Sequence, residues 1–209
     1  MRNALAALLA TFVGGLCAAP AHASDLRQQV AAYRAAHEAD IVGQLAALTR
    51  LPSVAARPQA LIATADKLEH ELQVRGFETA QFTAPGGGSP PVVFGVYGVH
   101  RATRTLVFYA HYDGQPVTPS QWASDPFVPL MRSGPLSPAV RTVDWQHAKA
   151  PFDPEWRFFG RAADDKASIV AFLAAFDALR AVHRTPSVVG HRRVRRGDGE
   201  ARLVTFRRL

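Results

Sequence analysis

Two short polar segments carry the residues whose types and spacing could do chemistry. The first is His111-Tyr112-Asp113, which directly follows the apolar run 105–110. In open α/β sheets ligands bind at the carboxyl ends of strands, and such a histidine can bind a metal through one ring nitrogen. A nearby carboxylate can accept the other ring N–H and fix the tautomer. The alternative interpretation is a surface turn that happens to contain a histidine and an aspartate.

The second segment is the run 160–166, which reads Gly-Arg-Ala-Ala-Asp-Asp-Lys and opens a predicted helix. A carboxylate has two oxygens and can therefore serve two metal ions at once, so the chemical interpretation is that one carboxylate of the adjacent pair Asp164-Asp165 bridges two cations. The alternative is structural, because adjacent carboxylates at a helix N-terminus cap free N–H groups and suit the positive end of the helix dipole.

Three helices are predicted to position these segments. The first begins at Ser24 or Asp25 and runs to about Thr49, before Pro52. The second begins after Pro58 and ends at Gly76, and the third covers about 165–183. Each has apolar residues at three- and four-residue steps. The predicted faces are Val30, Tyr33, His37, Ile41, Leu45 and Leu48, then Leu61, Ala65, Leu68 and Leu72, then Ile169, Phe172, Leu173, Phe176 and Leu179.

Short apolar runs between the helices predict strands at 77–82, 92–96, 105–110 and 156–159. Continuous apolar runs are typical of strands buried on both faces. The Gly/Pro-rich stretch 83–91 and residues 115–155 are predicted as loops. Helices beside short buried strands predict an α/β fold with a mixed sheet flanked by helices.

The order and spacing of the two polar segments resemble one large family, the co-catalytic zinc peptidases. That family includes glutamate carboxypeptidase, carnosinase-type dipeptidases, aminoacylase, acetylornithine deacetylase and succinyl-diaminopimelate desuccinylase. Trp122 and the following Asp125-Pro126-Phe127 are also similar to the stretch after the family's first motif, and the resemblance covers about 27–188. It implies a truncated zinc-peptidase catalytic domain that hydrolyses the amide bond of a peptide or an N-acyl amino acid.

The resemblance also implies roles for individual residues and two zinc ions in the intact site. His111 matches a ligand of one zinc, Asp113 matches the catalytic-site carboxylate that orients this histidine, and Asp164 matches the carboxylate that bridges both metals. Asp165 falls where the family varies and receives no role. The family has one more small residue where this chain has only Ala162-Ala163, and no residues for another cofactor are predicted.

Part of the family's catalytic equipment is absent from the sequence. The family's general base is the first glutamate of an adjacent Glu-Glu pair, and this chain contains no such pair. The family is often homodimeric, but its dimerisation region is missing too. We therefore expect no hydrolysis by the chain as it stands and doubtful zinc occupancy. The alternative function is a secreted, non-catalytic module that binds a peptide or a metal, and neither function identifies the substrate.

Residues 1–23 are predicted to be a signal peptide. Arg2 precedes an apolar run, and Ala21-His22-Ala23 has the form of a cleavage site. The run is short for a membrane span, so we expect export to the periplasm or outside without a stable membrane anchor. Cleavage would remove Cys17, the single cysteine, and leave a mature chain without a thiol.

The last segment, 189–209, differs in composition from the domain predicted at 24–188. Residues 190–209 hold seven Arg against one Asp and one Glu, which is five of the seven net positive charges. Because the body is nearly neutral and has no nucleic-acid-binding motif, we do not expect a nucleic-acid partner. The abrupt change to Arg and Gly suggests a shifted reading frame, and the alternative is a natural basic tail.

Overall fold

A computed structural model of the protein describes residues 21–86, 89–98, 105–182 and 205–206. Most of the predicted signal peptide and of the Arg-rich tail lies outside the described residues. The described part contains the helices α1 Ala21–Ala36, α2 Glu38–Thr49, α3 Pro58–Gln73 and α4 Ala163–Ala181. Its strands are β1 Glu78–Phe82, β2 Val92–Val96, β3 Tyr109–Ala110, β4 Leu130–Arg132, β5 Thr142–Val143, β6 Arg157–Phe159 and β7 Thr205–Phe206.

The prediction of one continuous N-terminal helix is wrong, because the helix breaks at His37 between α1 and α2. His37 has non-helical dihedral angles, φ −115° and ψ 19°. Its Nδ1 lies 2.9 Å from the carbonyl oxygen of Tyr33, and the two rings stack with their centroids 4.0 Å apart. A side chain that bonds to the backbone in this way competes with the regular helix, and apolar periodicity does not reveal it.

Helix α3 confirms its prediction from apolar periodicity and from the glycine that follows. Leu61, Ala65, Leu68 and Leu72 are all buried in the main core. At its end the Gly76 N–H donates to Gln73 O at 2.8 Å, and the Phe77 N–H donates to Leu72 O at 3.1 Å. This pattern requires a left-handed residue, and Gly76 supplies it with φ +87°.

The main sheet is mixed, as predicted, and has the strand order β1-β2-β7-β3. Strand β7 pairs antiparallel with β2 and parallel with β3. Val93 and Ala110 lie on the face of the sheet that packs into the helical core.

The prediction that run 105–110 forms a strand buried on both faces is wrong. Only Tyr109 and Ala110 pair in the sheet, and Leu106, Val107 and Tyr109 are each about half exposed. The described helices cover one face of this sheet, so an apolar run that fits a doubly covered strand is only partly buried here.

The prediction of loops throughout 115–155 is also wrong in part. A second sheet of order β5-β4-β6 is antiparallel throughout, and two of its strands come from this stretch. A short 3-10 helix forms at Pro119–Gln121. Strand β6 agrees with the prediction for 156–159, and α4 with the third predicted helix, including the burial of Ile169 and Leu173. No helix in the described ranges is long and apolar enough to cross a membrane.

Candidate metal centre

His111 lies directly after β3, and its ring contacts carboxylates on two sides. Its Nδ1 lies 2.9 Å from the carbonyl oxygen of Asp113 and 3.2 Å from Asp113 Oδ1. Its Nε2 lies 3.6 Å from Asp165 Oδ2. The Asp113 contact is the one that an orienting role requires. A proton on Nδ1 leaves the Nε2 lone pair facing a carboxylate, so a cation between Nε2 and Asp165 would be stabilised.

The carboxylate beside His111 is that of Asp165, to which the sequence interpretation gave no role. Asp165 Oδ2 also accepts the His111 backbone N–H at 3.4 Å, and Asp165 Oδ1 accepts from Ser168 Oγ at 2.6 Å. Asp164 is exposed, and its side chain has no hydrogen bond or ion pair within the described ranges. Its predicted bridging of two zinc ions therefore stays a prediction.

Two hydrogen bonds join the turn after α2 to the loop that carries His111. Ser53 Oγ donates to Tyr112 O at 2.7 Å, and the Gly114 N–H donates to Ser53 O at 2.8 Å. The Tyr112 ring is fully buried, and its hydroxyl donates to Pro91 O. The histidine thus stands on a loop that is tied to the protein on both sides.

The turn at Arg161 and Ala162, just before the helix that carries Asp165, contacts the His111 loop directly. Ala162 is buried and adopts the left-handed conformation, with φ +59°. A Cβ atom added to Gly114 would lie only 2.9 Å from the Cβ of Ala162. Arg161 strengthens this junction, because its backbone N–H donates to Pro126 O at 2.6 Å and its Nε donates to Gln115 O at 2.9 Å.

Lys166 is a structural residue of the site that sequence reasoning missed. It is fully buried, and its Nζ donates to Leu48 O at 2.7 Å and to Leu51 O at 2.9 Å. Burial lowers the pKa of Lys166 to about 7. A signal was present in the sequence, because Lys166 lies three residues before Ile169 on the apolar face of α4. The lysine joins the N-terminus of α4 to the C-terminus of α2.

The described residues supply too few donors for a complete zinc site. His111 and Asp165 are nitrogen and oxygen donors of the kind that zinc prefers. However, the described ranges contain no group of three His, Cys, Asp or Glu side chains that could hold a metal ion. A catalytic zinc normally has three protein ligands, so His111 and Asp165 fit only part of its coordination shell.

The fold of the chain is similar to part of the fold of two dipeptidases of known structure. Human carnosine dipeptidase 1 matches with a TM-score of 0.58 at 23% identity, covering 78% of this chain and 32% of that protein. The dipeptidase Dug1p from Saccharomyces cerevisiae matches with a TM-score of 0.55 at 16% identity, covering 79% of this chain and 32% of that chain. These likenesses agree with the family resemblance of the two polar segments.

A sequence relative of the same kind exists among the curated proteins. The Cys-Gly metallodipeptidase dug1 of Schizosaccharomyces pombe is 27% identical in an alignment 151 residues long that covers 66% of this chain and 27% of that protein. No family model matches the chain. The chain spans about a third or less of the length of these relatives.

Proposed function

We propose that this chain is the N-terminal part of an exported, metal-dependent hydrolase of the dipeptidase or carboxypeptidase type. Its substrates would be peptides or N-acyl amino acids, cleaved at an amide bond. The observation that carries the proposal is the approach of His111 Nε2 to Asp165 Oδ2, 3.6 Å apart, where two separate segments meet on a metallodipeptidase-like fold. The likeness to proteins named as metallodipeptidases supports the same class.

We further propose that the chain alone does not hydrolyse these substrates. The sequence lacks the adjacent Glu-Glu pair expected from the resemblance, and the described donors do not complete a zinc site. This shortage of donors also favours the second candidate function, a secreted module that binds a peptide or a metal without turnover.

Zinc binding and hydrolysis should be measured together on the purified chain. We expect at most one weakly held zinc per chain and no release of amino acids from Cys-Gly or carnosine. Two tightly held zinc ions with turnover would contradict the proposed incompleteness. A folded chain that binds no zinc and cleaves nothing would favour the binding module over the hydrolase.

Variants locate any zinc that binds. His111→Ala and Asp165→Asn should each weaken zinc binding by tenfold or more, because each variant removes one donor from an already small set of ligands. The matched control is His147→Ala, since His147 also pairs with an aspartate, Asp144, at 2.7 Å but is exposed. Equal losses in His111→Ala and His147→Ala would mean that the zinc is held nonspecifically.

The hypothesis of a shifted reading frame in 189–209 has its own test. The coding DNA around codon 189 should be resequenced and translated in all three frames. An adjacent Glu-Glu after an apolar strand in another frame would support an intact di-zinc peptidase gene. A confirmed frame with no such pair in either alternative would support a natural basic tail and the binding module.

A further inference from the structure

A cleft separate from the His111–Asp165 pair opens beside the smaller sheet. It has a volume of about 250 Å³ and lies between the segment 121–125 and strands β4 and β6. Trp122, Leu136 and Phe159 give it an apolar lining, and Leu136 is 67% exposed. A concave surface with large apolar side chains and few charged groups is typical of a small-molecule site.

One positively charged side chain, Arg132, and one negatively charged side chain, Asp125, line this cleft and form no ion pair with each other. Arg132 forms no hydrogen bond or ion pair through its side chain within the described ranges, and its guanidinium carbon lies 5.6 Å from the ring centroid of Phe159. Asp125 uses Oδ1 to accept the Phe127 backbone N–H at 2.8 Å, which leaves Oδ2 available. A cation on an aromatic face and a fixed carboxylate can each bind one end of a zwitterion.

We infer that this cleft binds a zwitterionic dipeptide with an apolar side chain. Arg132 takes the terminal carboxylate, Asp125 takes the terminal ammonium group, and Trp122 with Leu136 contacts the apolar side chain. Such binding requires neither zinc nor turnover, so it can be measured with a chelator present, whatever the outcome of the zinc and hydrolysis experiments.

The test is calorimetric titration of the full chain with Phe-Gly in EDTA at neutral pH. Two analogues each remove one charge: N-acetyl-Phe-Gly lacks the ammonium group, and Phe-Gly amide lacks the carboxylate. We expect saturable binding of Phe-Gly and a Kd about tenfold higher or more for each analogue, since charge-assisted hydrogen bonds contribute at that level. Gly-Gly, which lacks the apolar side chain, should bind more weakly still.

Two variants assign the charges to residues. Arg132→Met should weaken binding of Phe-Gly about tenfold or more but leave Phe-Gly amide unchanged. Asp125→Asn keeps the acceptor for the Phe127 N–H, and should weaken Phe-Gly while leaving N-acetyl-Phe-Gly unchanged. Arg141→Met is the matched control, because Arg141 is exposed, lies beside β5 and does not line the cleft.

The inference fails if Phe-Gly shows no saturable binding, or if Arg132→Met and Arg141→Met weaken it equally. It also fails if both analogues bind as tightly as Phe-Gly. The analogues use the unaltered chain, so this comparison decides the matter even if Arg132→Met does not fold.

Discussion

At the scale of single residues, the close contact between Gly114 and Ala162 constrains the candidate metal centre. A methyl group at Gly114 would meet the Ala162 Cβ at 2.9 Å and the Arg161 Nε at 3.7 Å. Ala162 is buried in a left-handed turn and has little room to move. We therefore expect Gly114→Ala to reduce the free energy of unfolding by about 1–3 kcal/mol, measured by urea denaturation.

Gly43→Ala is the control for this prediction. Gly43 lies inside α2, and the nearest atom to an added Cβ is Trp145 Cη2 at 3.9 Å. Alanine in a helix interior is favoured over glycine by roughly 0.5–1 kcal/mol, so this variant should be more stable than the native chain. If Gly114→Ala also proves stabilising, the two loops are not packed as closely as the contact implies.

The site residues show where prediction from sequence succeeds and where it stops. His111 and Asp113 are two residues apart on one loop, so their contact follows from local spacing. The choice between Asp164 and Asp165 depends on the backbone at the start of α4, where Ala162 is left-handed and Asp164, inside the helix, has the non-helical angles φ −88° and ψ 115°. No residue type in this segment indicates these backbone angles, so the sequence alone could not identify the carboxylate that faces His111.

At the scale of elements, Arg75 joins the end of α3 to α4. It is buried, and it forms ion pairs with Glu71 and with Asp177, both at 2.7 Å. Burial by itself would raise the pKa of Glu71, but hydrogen bonds from Arg75 and Lys67 outweigh it and lower that pKa below its ordinary value of 4.5. The folded protein therefore favours the ionised form of Glu71 more than the unfolded chain does.

This shift predicts a pH-dependent loss of stability in Glu71→Gln. A carboxyl group with a lowered folded-state pKa stabilises the protein above its unfolded pKa, and that contribution is lost as pH falls through the folded-state pKa. We expect Glu71→Gln to be less stable than the native chain by about 1–3 kcal/mol at pH 7. The difference should shrink as the pH is lowered below 4.5.

Urea denaturation at several pH values checks this, with Glu155→Gln as the control. Glu155 pairs with Arg157 at 3.3 Å, but its side chain is 69% exposed, so its loss should change stability by less than about 1 kcal/mol. A Glu71→Gln deficit that stays constant down to the lowest pH would show that packing, and not charge, accounts for the effect.

Elements set by local patterns were predictable, and elements set by distant partners were not. Strand β2 has the predicted bounds, and α3 begins at Pro58 and ends at Gln73, three residues before the predicted end at Gly76. Apolar spacing, Pro58 and Gly76 define these elements locally. Strands β4 and β5 were missed because they are two or three residues long and exist only through their pairing. The length and burial of the strand predicted at 105–110 were overestimated. Apolar composition does not reveal that the described helices leave one face of the sheet uncovered.

At the scale of the whole molecule, the described helices cover only one face of the main sheet. The pairing of Ala80 with Phe94, of Phe82 with Val92 and of Phe94 and Tyr109 with Thr205 places these residues on the opposite face. Phe82 is 54% exposed and Tyr109 is 48% exposed. Contiguous apolar surface of this kind favours association, whereas scattered exposed apolar residues do not.

We therefore expect the purified chain to bind an apolar fluorescent dye and to self-associate as its concentration rises. The double variant Phe82→Ser/Tyr109→Ser should bind several-fold less dye and stay monomeric to higher concentration, measured by fluorescence and sedimentation velocity. The control is Val74→Ser, because Val74 is 60% exposed but lies at the end of α3, away from this face. If Val74→Ser lowers dye binding as much as the double variant, the apolar surface that binds the dye lies elsewhere. If neither variant changes dye binding, the sheet face is already covered in solution.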